Sequence, residues 1–150
     1  MAFWREFHRS DPTLAGRGEQ RIDRDGLVLV GTLRDNGWPR MCPVEPLLVD
    51  GELYPGTMRQ SEMAVDLLRD PRCVVHTTIA DKAGTEGDVK IYGRAVEVTD
   101  DTERERYGTG LEARIGWRPG GELHLFCVDI TEVGFFAVVG DGHESRTWRP

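Results

Sequence analysis

The sequence is poor in cysteine, and its cysteines form no recognisable set. Cys42, Cys73 and Cys127 are scattered along the chain, and their number is odd. This pattern argues against a disulfide framework and for a reducing compartment, so we expect a cytoplasmic protein. Each cysteine has strand-like apolar neighbours, which favours a buried thiol in each case.

Long apolar runs are also missing. No stretch approaches the roughly 18 residues that a membrane-spanning helix requires, so we expect no membrane contact. The first ten residues, MAFWREFHRS, place charges among apolar side chains and contain no hydrophobic core of a signal peptide. We therefore expect no secretory signal.

Motifs for nucleic acid, metal and nucleotide chemistry are absent. The net charge is -7 and there is no basic block, which argues against nucleic acid as a partner. No Cys-x-x-Cys pair, nucleophile elbow or phosphate loop occurs, and the four histidines lack metal spacing, so we expect no metal site. If His76 and His124 face inward, they are core or pocket-wall residues. The four histidines are His8, His76, His124 and His143.

The chain reads as one domain of 150 residues, with an N-terminal helical segment over residues 1–25. Short β-rich segments separated by turn residues then predict six or seven strands, mostly joined by hairpins, with inserted helices. The fold class is therefore mainly β, an antiparallel barrel or sandwich. The predicted strands outside the central stretch are 27–33, 72–79, 88–99, 122–139 (one bent strand or two) and 143–148.

Several local features accompany these strands. Phe3, Trp4 and Phe7 lie on one side of a short helix and pack on this domain's own core or on a partner subunit. Gly93 within a strand indicates a bulge or bend. A charged helix from Asp100 to about Tyr107 precedes a glycine-rich segment, 108–121, that we expect to be irregular.

The central stretch, Arg40 to Arg72, reads as strand, turn, strand and helix. Asp50-Gly51 is a strong hairpin signal. Thr57 with Gln60 three residues later fits a capping box, which starts the helix near residue 57, and Ser61 is a second possible N-cap. Apolar residues at helical spacing give this helix one buried face, and Asp70-Pro71 ends it. Those apolar residues are Met63, Ala64, Leu67 and Leu68.

The start of this helix is a candidate phosphate site. Free backbone N–H groups and the positive end of the helix dipole converge there, and both favour an anion. Arg59, with the hydroxyls of Thr57 and Ser61 beside it, supplies the side chains that bind phosphate. The alternative is structural: Thr57 and Ser61 only cap the helix, and Arg59 is solvated.

Glu45 is the one carboxylate within an apolar strand, and it lies between Pro43 and Pro46. Burial would raise its pKa and make it a possible proton donor or substrate contact. The alternative is an exposed position on an edge strand, which the two prolines favour.

The order of these segments resembles the pyridoxamine 5'-phosphate oxidase-like family, the FMN-binding split β-barrels. The resemblance covers most of the chain after residue 25 and is more specific for fold than for activity. It implies an antiparallel split β-barrel of six to seven strands. The matching segments are GTLRDNGWPRMCPVEPLLVDGELY, DLLRDPR, GDVKIYGRAVEVTDD, FCVDITEV and TWRP.

The resemblance implies a homodimer with one FMN at each edge of the interface, and an FMN-dependent oxidoreductase acting on a small molecule. The flavin would perform the electron chemistry, so no separate catalytic side chain is required. Trp148 and Arg149 would reach the neighbouring subunit's flavin, unless they are surface or dimer-packing residues. The residues implied within one subunit are Pro43, Val44 and Glu45 along the flavin ring, and Thr57, Arg59 and Ser61 at the phosphate.

One position departs from the family pattern. Many relatives have a lysine in the first turn of the helix, where this chain has Met63. A thioether cannot supply the positive charge, which weakens FMN binding by about 1–3 kcal/mol unless Arg59 compensates. Alternatively, the pocket takes a deazaflavin, a haem-like ligand or none, and the protein is a binding dimer without turnover. Met63 is then an ordinary core residue.

Overall fold

A computed structural model describes residues 1–58, 60–120 and 122–150, which form four helices and nine strands. Thr57 and Met58 are described by their backbone alone. In chain order the elements are α1 (Trp4–Ser10), α2 (Pro12–Asp25), β1 (Val28–Leu33), β2 (Pro39–Val44), β3 (Leu47–Val49), β4 (Glu52–Tyr54), β5 (Thr57–Met58), α3 (Glu62–Arg69), β6 (Arg72–Thr77), β7 (Asp88–Glu97), α4 (Asp101–Ile115), β8 (His124–Val139) and β9 (Gly142–Trp148).

The strands form one large antiparallel sheet and one small hairpin. The main sheet has seven strands in the order β2-β1-β6-β7-β8-β5, with β9 also paired to β8, and β3 pairs with β4 separately. The predicted antiparallel β fold with inserted helices is confirmed. More strands occur than expected because the central stretch contains three very short ones, β3 to β5, of two or three residues each.

The hairpin between β3 and β4 turns at Asp50-Gly51, as predicted. Both residues have positive φ angles, 51° and 79°. Two consecutive left-handed residues form the type I′ turn, whose twist matches that of the flanking strands.

A bulge interrupts the pairing of β7 with β8, as Gly93 predicts. Tyr92 pairs with Glu132, whereas Gly93 pairs with Ile130, so the extra residue lies on β8. The backbone of β8 approaches so closely that a Cβ atom on Gly93 would lie 2.3 Å from the carbonyl oxygen of Asp129. Only glycine fits here without displacing the strand. Across the bulge, β8 remains a single strand of 16 residues.

The two N-terminal helices bury side chains in the main core, aromatic ones from α1 and aliphatic ones from α2. Trp4 and Phe7 are fully buried, and the ring of Phe7 packs against that of Trp148, with 4.9 Å between the ring centroids. These rings therefore pack on the core of their own subunit. Asp11 begins α2 by accepting a hydrogen bond from the Leu14 amide at 3.0 Å.

The expectation of an irregular segment after Tyr107 is wrong for its first half, because α4 continues to Ile115. The glycines that suggested irregularity allow close packing of the helix. A Cβ atom on Gly110 would lie 2.7 Å from Val49 Cγ2, and one on Gly108 would lie 3.2 Å from Arg118.

The cysteines are unpaired, as expected. Cys73 and Cys127 are buried, as predicted, whereas the prediction of a buried thiol is wrong for Cys42, which is half-buried. Burial raises the pKa of the Cys73 and Cys127 thiols to about 12, so both remain protonated and unreactive at neutral pH. Among the described residues no helix is long and apolar enough to cross a membrane.

The close approach at the bulge gives a testable prediction. Gly93→Ala should lower the free energy of unfolding by about 2 kcal/mol, because the new methyl group has to displace the β8 backbone. Gly134→Ala is the matched control on the same strand pair, since nothing lies within 4 Å of a Cβ atom there. Urea denaturation measures both. Equal effects from the two substitutions would contradict the packing argument.

Candidate functional site

The predicted ring-binding residues lie at the end of the terminal strand of the main sheet. Pro43 and Glu45 are exposed, and Val44 is half-buried. Gly56 lies directly against them: a Cβ atom at this position would be 3.4 Å from the carbonyl oxygen of Glu45 and 3.5 Å from Val44 Cβ. Its φ of +146° also favours glycine. The structure thus brings residues 43–45 beside the chain that leads into α3.

The expected helix start at Thr57 is wrong. Residues 57 and 58 form strand β5, which pairs with Leu125 and His124 of β8. The helix begins at Glu62 instead, and Ser61 is its N-cap: the Ser61 hydroxyl accepts a hydrogen bond from the Ala64 amide at 3.2 Å. Pairing with β8 outweighs the local capping signal. Arg59, the predicted phosphate ligand, lies outside the described residues.

The first turn of α3 carries a negative charge and an apolar side chain. Glu62 is the first helical residue, and its side chain is 81% exposed. Met63 is buried in the main core, as its alternative interpretation predicts. The cation that contacts Glu62 is Arg40, whose Nη1 donates to Glu62 Oε2 at 2.6 Å.

A buried carboxylate fixes α3 against β1 and β2. Asp66, in the second turn of α3, is 3% exposed. Its Oδ2 accepts hydrogen bonds from Thr32 Oγ1 at 2.9 Å and Arg40 Nε at 2.7 Å. Its Oδ1 accepts from Arg69 Nη2 at 3.2 Å, and the same nitrogen donates to the Leu33 carbonyl. The arrangement is a buried, fully hydrogen-bonded ion cluster at the base of the site.

These contacts control the protonation of Asp66. Burial alone would raise the pKa of this carboxyl, but the hydrogen bonds from Arg40, Thr32 and Arg69 outweigh burial and hold its pKa below the usual range. Asp66 is therefore charged at neutral pH, and it holds the Arg40 guanidinium in one orientation.

Glu45 lies at an exposed position beside an edge strand, the alternative that its flanking prolines favoured. Strand β2 is the terminal strand of the main sheet, and the Glu45 side chain just beyond it is exposed. The hypothesis of a buried Glu45 carboxyl is therefore wrong. Contact of its backbone with a flavin ring stays a prediction.

The C-terminal pair, Trp148 and Arg149, separates into one buried and one exposed residue. Trp148 is 9% exposed, packs on Phe7 and donates from Nε1 to Ser10 Oγ at 2.9 Å. Arg149 is exposed and forms an ion pair with Glu132 at 2.6 Å. The Trp148 ring thus stabilises its own subunit. Contact of either residue with a neighbouring subunit's flavin stays a prediction.

Two histidines on the strands of the main sheet, His76 and His124, lie near carboxylates. His124 Nδ1 lies 2.7 Å from Glu97 Oε1, and the pair borders a cavity of about 320 Å³ that also includes Gln60. His76 Nε2 lies 3.8 Å from Asp88 Oδ2. Within the described part of the chain, no group of three or more His, Cys, Asp or Glu residues is arranged to hold a metal ion.

Sequence reasoning missed the residues that organise the site: Arg40, Glu62 and Asp66. Asp66 carries a usable signal, since it lies one helical turn after Met63 on the buried side of α3. A carboxylate in that position requires partners. The pairing of Arg40 with both acids depends on the β1–β2 register, which places Arg40 opposite Thr32.

Comparison with solved structures supports the fold class. A protein from Clostridium acetobutylicum related to general stress protein 26, of the pyridoxinephosphate oxidase family, superposes with a TM-score of 0.67 at 15% identity, covering 93% of this chain and 95% of that one. A pyridoxamine 5'-phosphate oxidase-related FMN binding protein from Nostoc punctiforme gives 0.64 at 12% identity, covering 100% and 97%. These likenesses define a split β-barrel, as predicted.

The family follows from the sequence itself. The family model described as pyridoxamine 5'-phosphate oxidase matches residues 17–137. The chain belongs to this family. A heme binding protein from Mycobacterium smegmatis also superposes, with a TM-score of 0.64 at 20% identity over 87% of this chain, which spans 57% of that one. A search of curated proteins finds no match.

The ion cluster predicts a pH-dependent stability. The Asp66 pKa is lower in the folded protein than in the unfolded chain, where it is about 3.9. The contribution of the charged form is therefore complete above that value and is lost as the pH falls through the lower folded pKa. At neutral pH, Asp66→Asn should lower the free energy of unfolding by about 2 kcal/mol, because hydrogen bonds to a charged group are lost.

Denaturation of native protein and Asp66→Asn between acid and neutral pH measures this difference. The difference in the free energy of unfolding between native protein and Asp66→Asn should become smaller as the pH falls below about 4. Asp35→Asn, at an exposed position in the β1–β2 loop, controls for general charge effects. A gap that stays constant with pH would contradict the assignment of a charged Asp66.

Proposed function

We propose that the protein is a homodimeric, flavin-dependent oxidoreductase that binds FMN at the end of β2 and acts on a small molecule. The observation that supports the proposal is the close approach of Gly56 to Val44 and Glu45. It places the exposed backbone of a terminal strand beside the turn that leads to a helix N-terminus. A flat ring and an attached phosphate need these two features side by side.

The residues fit such a ligand at both ends. The strand end at Pro43 to Glu45 offers a surface for the ring, since Pro43 and Glu45 are exposed. Ser61 and the first amides of α3 offer donors to a phosphate. Thr57 and Arg59 remain proposed phosphate ligands. When bound, the flavin supplies the electron transfer, and the chain orients it and admits the substrate.

An exposed apolar surface on the main sheet supports the proposed dimer. Met41, Gly31, Val74 and Tyr92 are consecutive partners across β2, β1, β6 and β7. Met41 is 56% exposed and Tyr92 is 40% exposed. We assign this surface to a second copy of the chain, because it continues along β2 into the ring-binding residues.

A second candidate is a dimer that binds a flavin, deazaflavin or haem without turnover. The negative charge of Glu62 and the burial of Met63 favour it, since neither residue offers a cation to FMN phosphate. A heme binding protein and an FMN binding protein both share the fold. Ligand titration identifies the ligand, and reductase assays of the flavin-bound protein then separate the candidates.

The flavin proposal predicts that the fluorescence of FMN is quenched when FMN is titrated with the ligand-free protein. Arg59→Ala should weaken FMN binding about 10- to 100-fold, because a charge-assisted contact to phosphate is lost, and should leave riboflavin affinity unchanged. Arg9→Ala, at an exposed position in α1, is the matched control. Flavin fluorescence gives the affinities.

Three outcomes of this titration are informative. Binding of both flavins justifies reductase assays with small-molecule acceptors. Binding of deazaflavin or haem alone favours the second candidate. A native protein that binds none of these ligands contradicts both.

The dimer proposal predicts that Met41→Glu weakens self-association about 100-fold, because the interface would bury an unpaired carboxylate. Ile115→Glu, at an exposed apolar position on α4, should leave association unchanged. Sedimentation velocity over a concentration series measures both. A monomeric native protein, or equal effects of the two substitutions, would contradict the assigned surface.

A further inference from the structure

We propose that a cavity bordered by β4, the end of β7 and the start of α4 binds a small organic amine, whose ammonium group donates a hydrogen bond to Glu52 Oε2. The cavity has a volume of about 390 Å³, which suits a small molecule. The inference goes beyond the proposed function, because none of the described residues that line this cavity belongs to the proposed flavin site.

One wall of the cavity is apolar. Val96 and Cys127 are opposite partners on β7 and β8, so their side chains lie on the same face of the sheet. Phe3 lines the cavity beside them and packs against the smaller core cluster. Burial raises the pKa of the Cys127 thiol to about 12, so this thiol is neutral and extends the apolar wall. The wall offers a contact surface for the hydrocarbon part of a ligand.

Glu52 provides the polar end of the cavity. Glu52 and Tyr54 lie two residues apart on β4 and both line the cavity, whereas Leu53 between them is buried in the main core. The Glu52 side chain is 23% exposed, and its Oε1 lies 4.0 Å from Arg5 Nε. Its Oε2 is buried and accepts no hydrogen bond from the described residues. A buried acceptor without a donor is costly, and an N–H group of a ligand would satisfy it.

The charged side chains around the cavity favour a cation as the ligand. Both lining arginines are held at the hairpin turn: Arg5 Nη2 donates to the Asp50 carbonyl, and Arg106 Nε lies 3.1 Å from Asp50 Oδ2. The lining acids outnumber these two arginines. They are Glu52, Glu97, Asp100 and Glu103.

The start of α4 adds negative charge on the side of the cavity that faces Tyr54. Glu103 Oε1 accepts a hydrogen bond from the Tyr54 hydroxyl at 2.9 Å, so the partner of this carboxylate is a neutral phenol. Asp100 Oδ2 accepts from the Glu103 amide at 2.8 Å, so the anion that a helix N-terminus favours is already supplied by the chain. An anionic ligand would therefore meet repulsion here.

The protonation of Glu52 agrees with this assignment. Burial raises the pKa of Glu52, and the charge of Glu103 adds to this effect while the Arg5 guanidinium opposes it. A bound ammonium group would favour the charged form of Glu52, since an opposite charge nearby stabilises a carboxylate. A primary amine has both the charge and the N–H donor that Oε2 requires.

The test is a titration of the full chain with 2-phenylethylammonium at neutral pH and constant ionic strength. The uncharged 2-phenylethanol, of nearly the same shape, is the comparison ligand. Amide shifts of residues 52–54 and 96–99 should report binding. The ammonium should bind about tenfold more tightly than the alcohol, because its hydrogen bond to Glu52 is charge-assisted.

A substitution at Glu52 tests the contact itself. Glu52→Gln keeps the size of the side chain but removes its charge, so it should lower the affinity for 2-phenylethylammonium about tenfold and leave that for 2-phenylethanol unchanged. Glu6→Gln is the matched control, since Glu6 is an exposed acid in the first turn of α1 and does not line the cavity.

A second acid keeps the test decisive if Glu52→Gln does not fold, which thermal unfolding checks. Glu103→Gln retains an acceptor for the Tyr54 hydroxyl and should lower the affinity for the ammonium about threefold, because its charge acts without direct contact.

The outcomes decide the inference independently of any flavin. Selective binding of the ammonium that is lost in Glu52→Gln but kept in Glu6→Gln supports it. Equal affinities of the native protein for the two ligands overturn it, as do shifts confined to residues outside the cavity or no binding at all. An unchanged ammonium affinity in folded Glu52→Gln, or in Glu103→Gln where Glu52→Gln does not fold, also overturns it.

Discussion

The structure around the candidate site depends on one buried charge, the Asp66 carboxylate. It joins helix α3 to β1 through Thr32 and to β2 through Arg40. Without it, the contacts of Arg40 with Glu62 and of Arg69 with the Leu33 carbonyl would remain, but the buried link between α3 and both strands would be lost. A fully hydrogen-bonded buried carboxylate fixes geometry more strictly than apolar contacts, because any shift leaves a charge without partners. The spacing between the proposed ring and phosphate ends of the ligand therefore follows from this cluster.

The second constraint is the close approach of backbones. At Gly56 the positive φ of 146° lets the chain after β4 turn beside Val44 and Glu45. At Gly93 the missing side chain lets the backbone of β8 approach β7 closely at a bulge. The site is built where these segments meet, at a strand end and a helix start, and this arrangement suits a ligand with a flat ring and a charged tail.

Much of the fold was accessible from local patterns. Asp50-Gly51 fits only a tight hairpin, Asp11-Pro12 begins a helix, and the alternation in β7 marks a strand. The predicted helix start at Thr57 is wrong because β5 pairs with β8 through residues 66 and 68 positions apart, which no local window detects. The prediction also missed the continuation of α4 beyond Tyr107, because Gly108 and Gly110 provide room for contacts with Arg118 and Val49 that a local pattern does not show. The ion pairs of Arg40 depend on the register between β1 and β2. The prolines beside Glu45 favoured an edge strand, and the strand order of the sheet decides between the two interpretations of this residue.

We propose a flavin whose ring lies along residues 43–45 and whose phosphate lies at the start of α3. A crystal structure of the protein grown with FMN tests this most directly. We expect ring density against the backbone of Val44 and Glu45, with the phosphate within hydrogen-bond distance of Ser61. FMN bound elsewhere on the chain, or with its phosphate far from α3, would contradict it.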